Sequence, residues 1–198
     1  AKLNIPVGHV EAGLRSYDPI MPEEKNRVLT DHLSQYLFVP TREAKRNLLK
    51  EGIPTARIAL TGNTIVDAVR QQLRVARAKS RILQELGLIF GKYFLVTLHR
   101  PENVDTKKNL IGIVRGLQLV SQKYKLPVIW PLHPRTKERI ERFNLSSSLQ
   151  DSLGVHVVEP VGFHDFMMLE RNARLILTDS GGVQEEACIM NVPSVTLR

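Results

Sequence analysis

Residues 175–191 read "LILTDSGGVQEEACIMN". Leu175 to Thr178 form an unbroken run of apolar and β-branched residues, the mark of a short strand buried on both faces. Gly181 and Gly182 end that run, and a helix opens behind them with Glu185 and Glu186 about one turn in. A strand passing through glycines straight into a helix predicts a βα unit of a parallel sheet.

The same exchange repeats along the chain. "IPVGHV" reads as a strand, then Pro22 fits the first turn of a helix with Glu23 and Glu24 at its positive end. "YLFVP" is a strand stopped by Pro40, followed by a helix running to Gly52, and "RIALTGN" leads into a helix from about Ile65 to Lys79. The pattern then restarts. "YFLVTLH", "PVIWPLH", "VHVVEP", "RLILTD" and "PSVTLR" are strands separated by the helical stretches "KKNLIGIVRGLQLVSQKY", "RTKERIERF" and "HDFMMLERN". Strands lacking clean polar alternation and joined by helices predict an α/β protein with two parallel sheets. The first block supplies only about three strands, fewer than an open sheet of about five, so the chain reads as an interior piece of a longer two-domain protein.

Composition narrows the function. The 198 residues are 42% hydrophobic and 24% charged, ordinary for a water-exposed globular fold. No apolar run approaches the roughly 20 residues that span a bilayer, so no membrane partner is expected. A single cysteine, Cys188, fits a reducing cytoplasmic setting. The net charge of +8 suits anionic partners. Its densest segment, "RQQLRVARAKSR", lacks interleaved aromatics and reads as a solvated helix face, so nucleic acid is not the expected partner. No HExxH or paired Cys/His spacing predicts a metal, and no GxSxG or GxGxxG motif predicts a serine nucleophile or a nicotinamide.

Ligands of open α/β sheets bind beyond the carboxyl ends of the strands, and ionisable groups concentrate there. Ser180, Gly181 and Gly182 allow a tight turn and bring bare backbone and helix N–H groups to an anion; the plainer reading is a glycine turn at a helix start. The acids one turn on favour a nucleotide, since they repel phosphate but accept sugar hydroxyls. His99 follows a buried strand and can meet a phosphate or move a proton, or simply be satisfied by loop carbonyls. His133 shares that ambiguity, while His9 and His32 read as structural. Glu11 ends a strand, and Glu23 arrives soon after at a helix start. The two form either an acid/base pair or, at Glu23, a charge complementing the helix dipole.

Taken in order, "GHVEAGLRS", "MPEEKNRVLTDHLS", "TGNTIVDA", "VTLHRPENVD" and "LTDSGGVQEEA" resemble the non-hydrolysing UDP-N-acetylglucosamine 2-epimerases nearly from end to end. The resemblance implies two Rossmann-like domains of glycosyltransferase-B type, both incomplete here. Residues 1–78 would be the later part of the N-terminal domain, 79–91 a linker, and 92–198 a truncated UDP-binding domain. It implies interconversion of UDP-N-acetylglucosamine and UDP-N-acetylmannosamine through UDP elimination and re-addition, by way of 2-acetamidoglucal, without cofactor or metal, in a cleft between domains. Glu11, Glu23 and His99 match catalytic positions of the family. Arg15, His99, Phe166, Ser180, Gly181, Gly182 and Glu186 match substrate-binding positions: the glycine turn for the diphosphate, Glu186 for the ribose hydroxyls and Phe166 for the uracil. Arg100 and His133 fall where bacterial members bind a second, activating UDP-N-acetylglucosamine. The expected partners are UDP-N-acetylglucosamine, UDP-N-acetylmannosamine and UDP, with a homodimer in the full-length form. The family also has an early basic residue and an active-site aspartate in a region preceding Ala1, so the chain alone is expected to be inactive. A hydrolysing 2-epimerase and a non-catalytic nucleotide-sugar module are the alternatives.

Overall fold

In the computed structural model, residues 3–145, 149 and 154–197 are described, and the chain divides into two compact units, residues 1–68 and 69–198. In the first, β1 (Gly8–Val10), β2 (Tyr36–Val39) and β3 (Ile58–Leu60) form a parallel sheet in the order β1-β2-β3. Two helices connect them, α1 (Pro22–Leu33) and α2 (Arg42–Lys50). Pro22 opens α1, where its missing N–H leaves no hydrogen bond unmade. Thr41 caps α2, its Oγ1 accepting from the Ala44 N–H at 3.1 Å. Leu37 and Val39 of β2 pack with Ala12, Ala44, Leu48, Ile53 and Ile58. Gly13 is compelled by that packing. Its φ is +79°, and a Cβ there would lie 2.3 Å from the Ala44 carbonyl oxygen. The loop after β1 therefore lies directly against the backbone of α2.

Helix α3 (Thr64–Lys79) contains the division between the units. After it come a single turn, α4 (Ile82–Glu85), and β4 (Phe94–Thr97). The second unit continues through α5 (Pro101–Val104), α6 (Lys107–Tyr124), β5 (Val128–Pro131), α7 (Pro134–Arg142) and β6 (Val155–Val158). It ends with α8 (Phe163–Asn172), β7 (Leu175–Thr178), α9 (Gly181–Ile189) and β8 (Ser194–Thr196). The five strands are parallel in the order β6-β5-β4-β7-β8. Leu95 and Val96 of β4, Trp130 of β5 and Ile176 of β7 are fully buried. Leu110, Val114 and Leu117 of α6, at helical spacing, share one core cluster with Val96 and Trp130.

Short helices escaped the sequence reading. α4 lies inside the segment read as a linker and α5 inside "HRPENVD"; four residues are one turn, too few to show a period. α4 nevertheless packs on α8, and Gln72 of α3 meets His164 of α8 at 3.0 Å. The second unit therefore draws on residues well before position 92.

Candidate active site

Strand order locates the site before any side chain does. From central β4 the chain winds outward through β5 and β6, then returns to the other side of β4 for β7 and β8. The direction of winding reverses between β4 and β7, the place where open α/β sheets form a ligand crevice beyond the strand ends. His99 and Arg100 leave β4 at this point, and Asp179 and Ser180 leave β7.

One buried carboxylate ties the exits together. Asp179 is fully buried, and its oxygens accept the backbone N–H of His99 at 3.1 and 3.2 Å, that of Arg100 at 2.9 Å, and Nδ2 of Asn103 at 3.0 Å. His99 Nδ1 lies 3.1 Å from Oδ1 of the same carboxylate. A carboxylate oxygen accepts, so this contact suits a proton on Nδ1 and leaves Nε2 for a ligand. Arg100 Nε donates to the Asp179 carbonyl at 2.6 Å. Sequence reading passed over Asp179; the available signal was a lone acid at the exit of a fully apolar strand, directly before the glycines.

Ser180 caps α9, its Oγ accepting from the Val183 N–H at 3.4 Å. Gly181 and Gly182 are not among the glycines with positive φ, and a Cβ built on Gly181 meets nothing within 4 Å. The tight-turn reading of these residues gives way: helix α9 begins at Gly181 itself. Their remaining use is the other one, bare helix N–H groups open to close approach. Glu186 lies one turn beyond Gly182 on the same helix face, half-buried.

A cleft of roughly 230 Å³ opens at this corner, and Thr97, His99, His133, Phe166, Ser180 and Val183 are among its lining residues. The rings of His99 and His133 stand 5.4 Å apart. His133 also caps α7, its Nδ1 accepting from the Arg135 N–H at 3.2 Å. The fold thus places the histidine read as an activator contact in the same cleft as His99.

In the first unit, Glu11 leaves β1 with φ at +66°, a left-handed conformation rare for a residue with a Cβ. Such backbone persists where surrounding structure enforces it, and it concentrates at functional positions. Glu23 is exposed on the first turn of α1. Its neighbour Glu24 is buried and structural, accepting the N–H groups of Ser16 and Tyr17 at 3.0 Å each. Burial works against ionisation of Glu24, yet those N–H groups and Arg27 hold its carboxyl below the usual range. Arg15, read as a substrate contact, is occupied elsewhere. Its Nε and one terminal nitrogen take both oxygens of Glu51 at 2.7 Å, and the other reaches Asp31 at 2.7 Å. Asp31 also binds His9 at 2.6 Å, and His32 lies 3.4 Å from Glu51. This network holds the loop after β1 onto α1 and α2, with both histidines in structural roles.

All 198 residues match the family model for UDP-N-acetylglucosamine 2-epimerase. The chain belongs to the UDP-N-acetylglucosamine 2-epimerase family. It is 54% identical over 200 residues to the UDP-N-acetylglucosamine 2-epimerase of Methanocaldococcus jannaschii, covering 100% of this chain and 55% of that protein. The crystal structure of the Methanocaldococcus jannaschii enzyme in complex with UDP-GlcNAc and UDP superposes with a TM-score of 0.85 at 54% identity, over 100% of this chain and 54% of that one. A Pseudomonas aeruginosa relative, UDP-2,3-diacetamido-2,3-dideoxy-D-glucuronate 2-epimerase, is 42% identical over 100% of this chain and 53% of its own length. The chain thus spans about half the length of the curated relatives it matches. Its parallel-sheet α/β fold is that of the epimerase family. Among the described residues, no cluster of three or more His, Cys, Asp or Glu is arranged for a metal, and no helix is long and apolar enough to cross a membrane.

Proposed function

We propose that this chain carries nucleotide-binding and proton-transfer residues of a UDP-N-acetylglucosamine 2-epimerase, an isomerase interconverting UDP-N-acetylglucosamine and UDP-N-acetylmannosamine. The observation that carries the reading is the cleft at the β4/β7 reversal, lined by His99, Phe166 and Ser180 and lying at the first turn of α9. A diphosphate suits the open N–H groups of Gly181 and Gly182 with His99 Nε2, an aromatic base suits Phe166, and Glu186 suits the ribose hydroxyls.

In elimination, a carboxylate takes the proton from C2, the C1–O bond breaks with its electron pair leaving on UDP, and a C1–C2 double bond forms. The product is 2-acetamidoglucal. In re-addition, UDP returns to C1 while a proton is delivered to the opposite face of C2, so no net oxidation occurs. Glu11 and Glu23 are assigned these proton transfers. His99 and the start of α9 are assigned the charge that develops on the departing diphosphate. Arg100 and His133 remain proposed contacts of an activating second nucleotide sugar, and a homodimer the proposed full-length assembly.

The 198-residue chain is expected to bind UDP with little turnover. An assay coupled to UDP-N-acetylmannosamine formation, run on this chain and on the product of its whole reading frame, tests the proposal. Turnover by the longer product with UDP-sugar accumulating supports epimerisation. Free N-acetylmannosamine instead indicates a hydrolysing enzyme, and UDP binding without turnover in either form indicates a binding module. The name of the Pseudomonas aeruginosa relative favours a second reading, the same C2 chemistry on a UDP-2-acetamido sugar altered at C3 and C6. Assaying both sugars side by side separates the two.

A further inference from the structure

Helix α1 inverts the usual amphipathic arrangement. Its two buried residues are acids, Glu24 and Asp31, while Leu29 and Leu33 stand 61% and 59% exposed. A buried carboxylate is unfavourable unless donors meet it, and Asp31, fully buried, is met from three residues. Its Oδ1 lies 2.6 Å from His9 Nδ1, and its Oδ2 accepts the Gly13 N–H at 3.1 Å and Arg15 Nη1 at 2.7 Å. One partner precedes Glu11 in the chain and the other two follow it. The carboxylate thus grips the β1 exit on both sides of Glu11.

The backbone between those partners is tied down as well. The Ala12 N–H donates to the Phe38 carbonyl of β2 at 3.1 Å, and the Gly13 carbonyl accepts from Asn47 Nδ2 of α2 at 3.0 Å. Glu11 itself is exposed, with its φ at +66°, a conformation that persists only where neighbouring contacts over-determine it. Glu23 stands on the first turn of α1, about two turns before Asp31. One helix therefore bears one of the acids assigned to proton transfer and grips the loop that bears the other. We propose that Asp31 is the positioning residue for Glu11: by holding His9, Gly13 and Arg15 at once, it fixes the loop from which Glu11 transfers a proton at C2. This rests on the reading that Glu11 makes that transfer.

The product of the whole reading frame, assayed for interconversion of UDP-N-acetylglucosamine and UDP-N-acetylmannosamine, tests both layers separately. Asp31→Asn keeps the shape of the side chain, and Arg15 stays paired with both oxygens of Glu51, so the loop loses an acceptor without stranding a buried charge. Its kcat should fall between about tenfold and a hundredfold, the cost of a reacting group misplaced by up to about 1 Å, with KM little changed. Glu11→Gln should lose more. Added to Glu11→Gln, Asp31→Asn should cost nothing further, because the group it positions is already gone. A contact that only stabilises the fold leaves kcat per folded molecule unmoved.

An unaltered product without turnover, or a Glu11→Gln variant working at the unaltered rate, would overturn the reading of Glu11 itself. If Glu11→Gln is impaired while Asp31→Asn keeps the unaltered kcat, the positioning role of Asp31 is wrong. It is equally wrong if the two losses multiply in the double variant, since the effect of Asp31 then runs independently of Glu11. Should Asp31→Asn not fold, His9→Leu, which releases only the β1 end of the grip, takes its place in the same cycle. A smaller loss of kcat that vanishes beside Glu11→Gln is then expected, and an unaltered kcat overturns the proposal.

Discussion

Gly181 and Gly182 stand in the first turn of α9, where a Cβ on Gly181 would enter open space and one on Gly182 would meet only Ser180 Oγ at 3.9 Å, an ordinary contact. Neither the turn nor the packing asks for glycine there, which fits the proposed close approach of a diphosphate. Gly182→Ala should therefore leave the fold intact and raise its stability by up to about 1 kcal/mol, the helix-propensity difference. UDP affinity should fall in the same variant. Thermal melting and calorimetry on one preparation check both, and a variant that binds UDP undiminished would refute the assignment. Asp179 presents the opposite case, since its carboxylate is needed by several donors at once. Asp179→Asn turns one oxygen into a donor facing donors. The expected loss is about 2 kcal/mol or more, with the His99 ring, followed by nitrogen NMR, no longer held with its proton on Nδ1.

Helices and loops hold these residues by contacts that are individually testable. The loop bearing Glu11 rests on α2 at Gly13, where an added methyl meets the Ala44 carbonyl and a φ of +79° strains it further. Gly13→Ala should cost about 2 kcal/mol or more, measured by urea unfolding. Thr41→Ala, removing the cap of the same helix, should cost about 1 kcal/mol. A Gly13→Ala chain as stable as the unaltered one would mean that this loop is not seated on α2.

Across the whole chain the two units respond to pH in different ways. In the first, Glu51, held by Arg15, and Glu24 both lie below the usual carboxylate range. Their contributions are fully present above the unfolded carboxylate pKa of about 4.3 and are lost as pH falls toward the folded values. Asp105 in the second unit, bound by Arg135 and Arg139, is lowered to about 2 and acts in the same sense. Glu170 acts in the other. Its folded value of about 9 lies above the unfolded one, so its contribution is complete below about 4.3. That contribution is lost as pH rises through the window to about 9. Calorimetric melts should show the second unit weakening across that window. Glu170→Gln should gain stability relative to the unaltered chain at its alkaline end, and an unchanged difference between the two proteins would contradict the assignment.

Periodicity and strand punctuation were enough to read the α/β class, the parallel strands and the long helices, because burial on both faces and helical spacing are local properties of sequence. "KKNLIGIVRGLQLVSQKY" reads as a helix and is one, α6. The glycines and His99 were legible for a related reason, since strand exits are where such folds place their polar groups. What spacing could not show was which charges face each other. Arg15 and Glu51 are 36 residues apart, and His99 and Asp179 are 80 apart. No local pattern says that Arg15 is held by two acids, that Asp179 is the acceptor for the β4 exit, or that Glu170 is buried. Those pairings depend on strand order and helix packing, and in a buried setting the partner, rather than the residue type, decides whether an ionisable group binds, positions or simply holds the chain together.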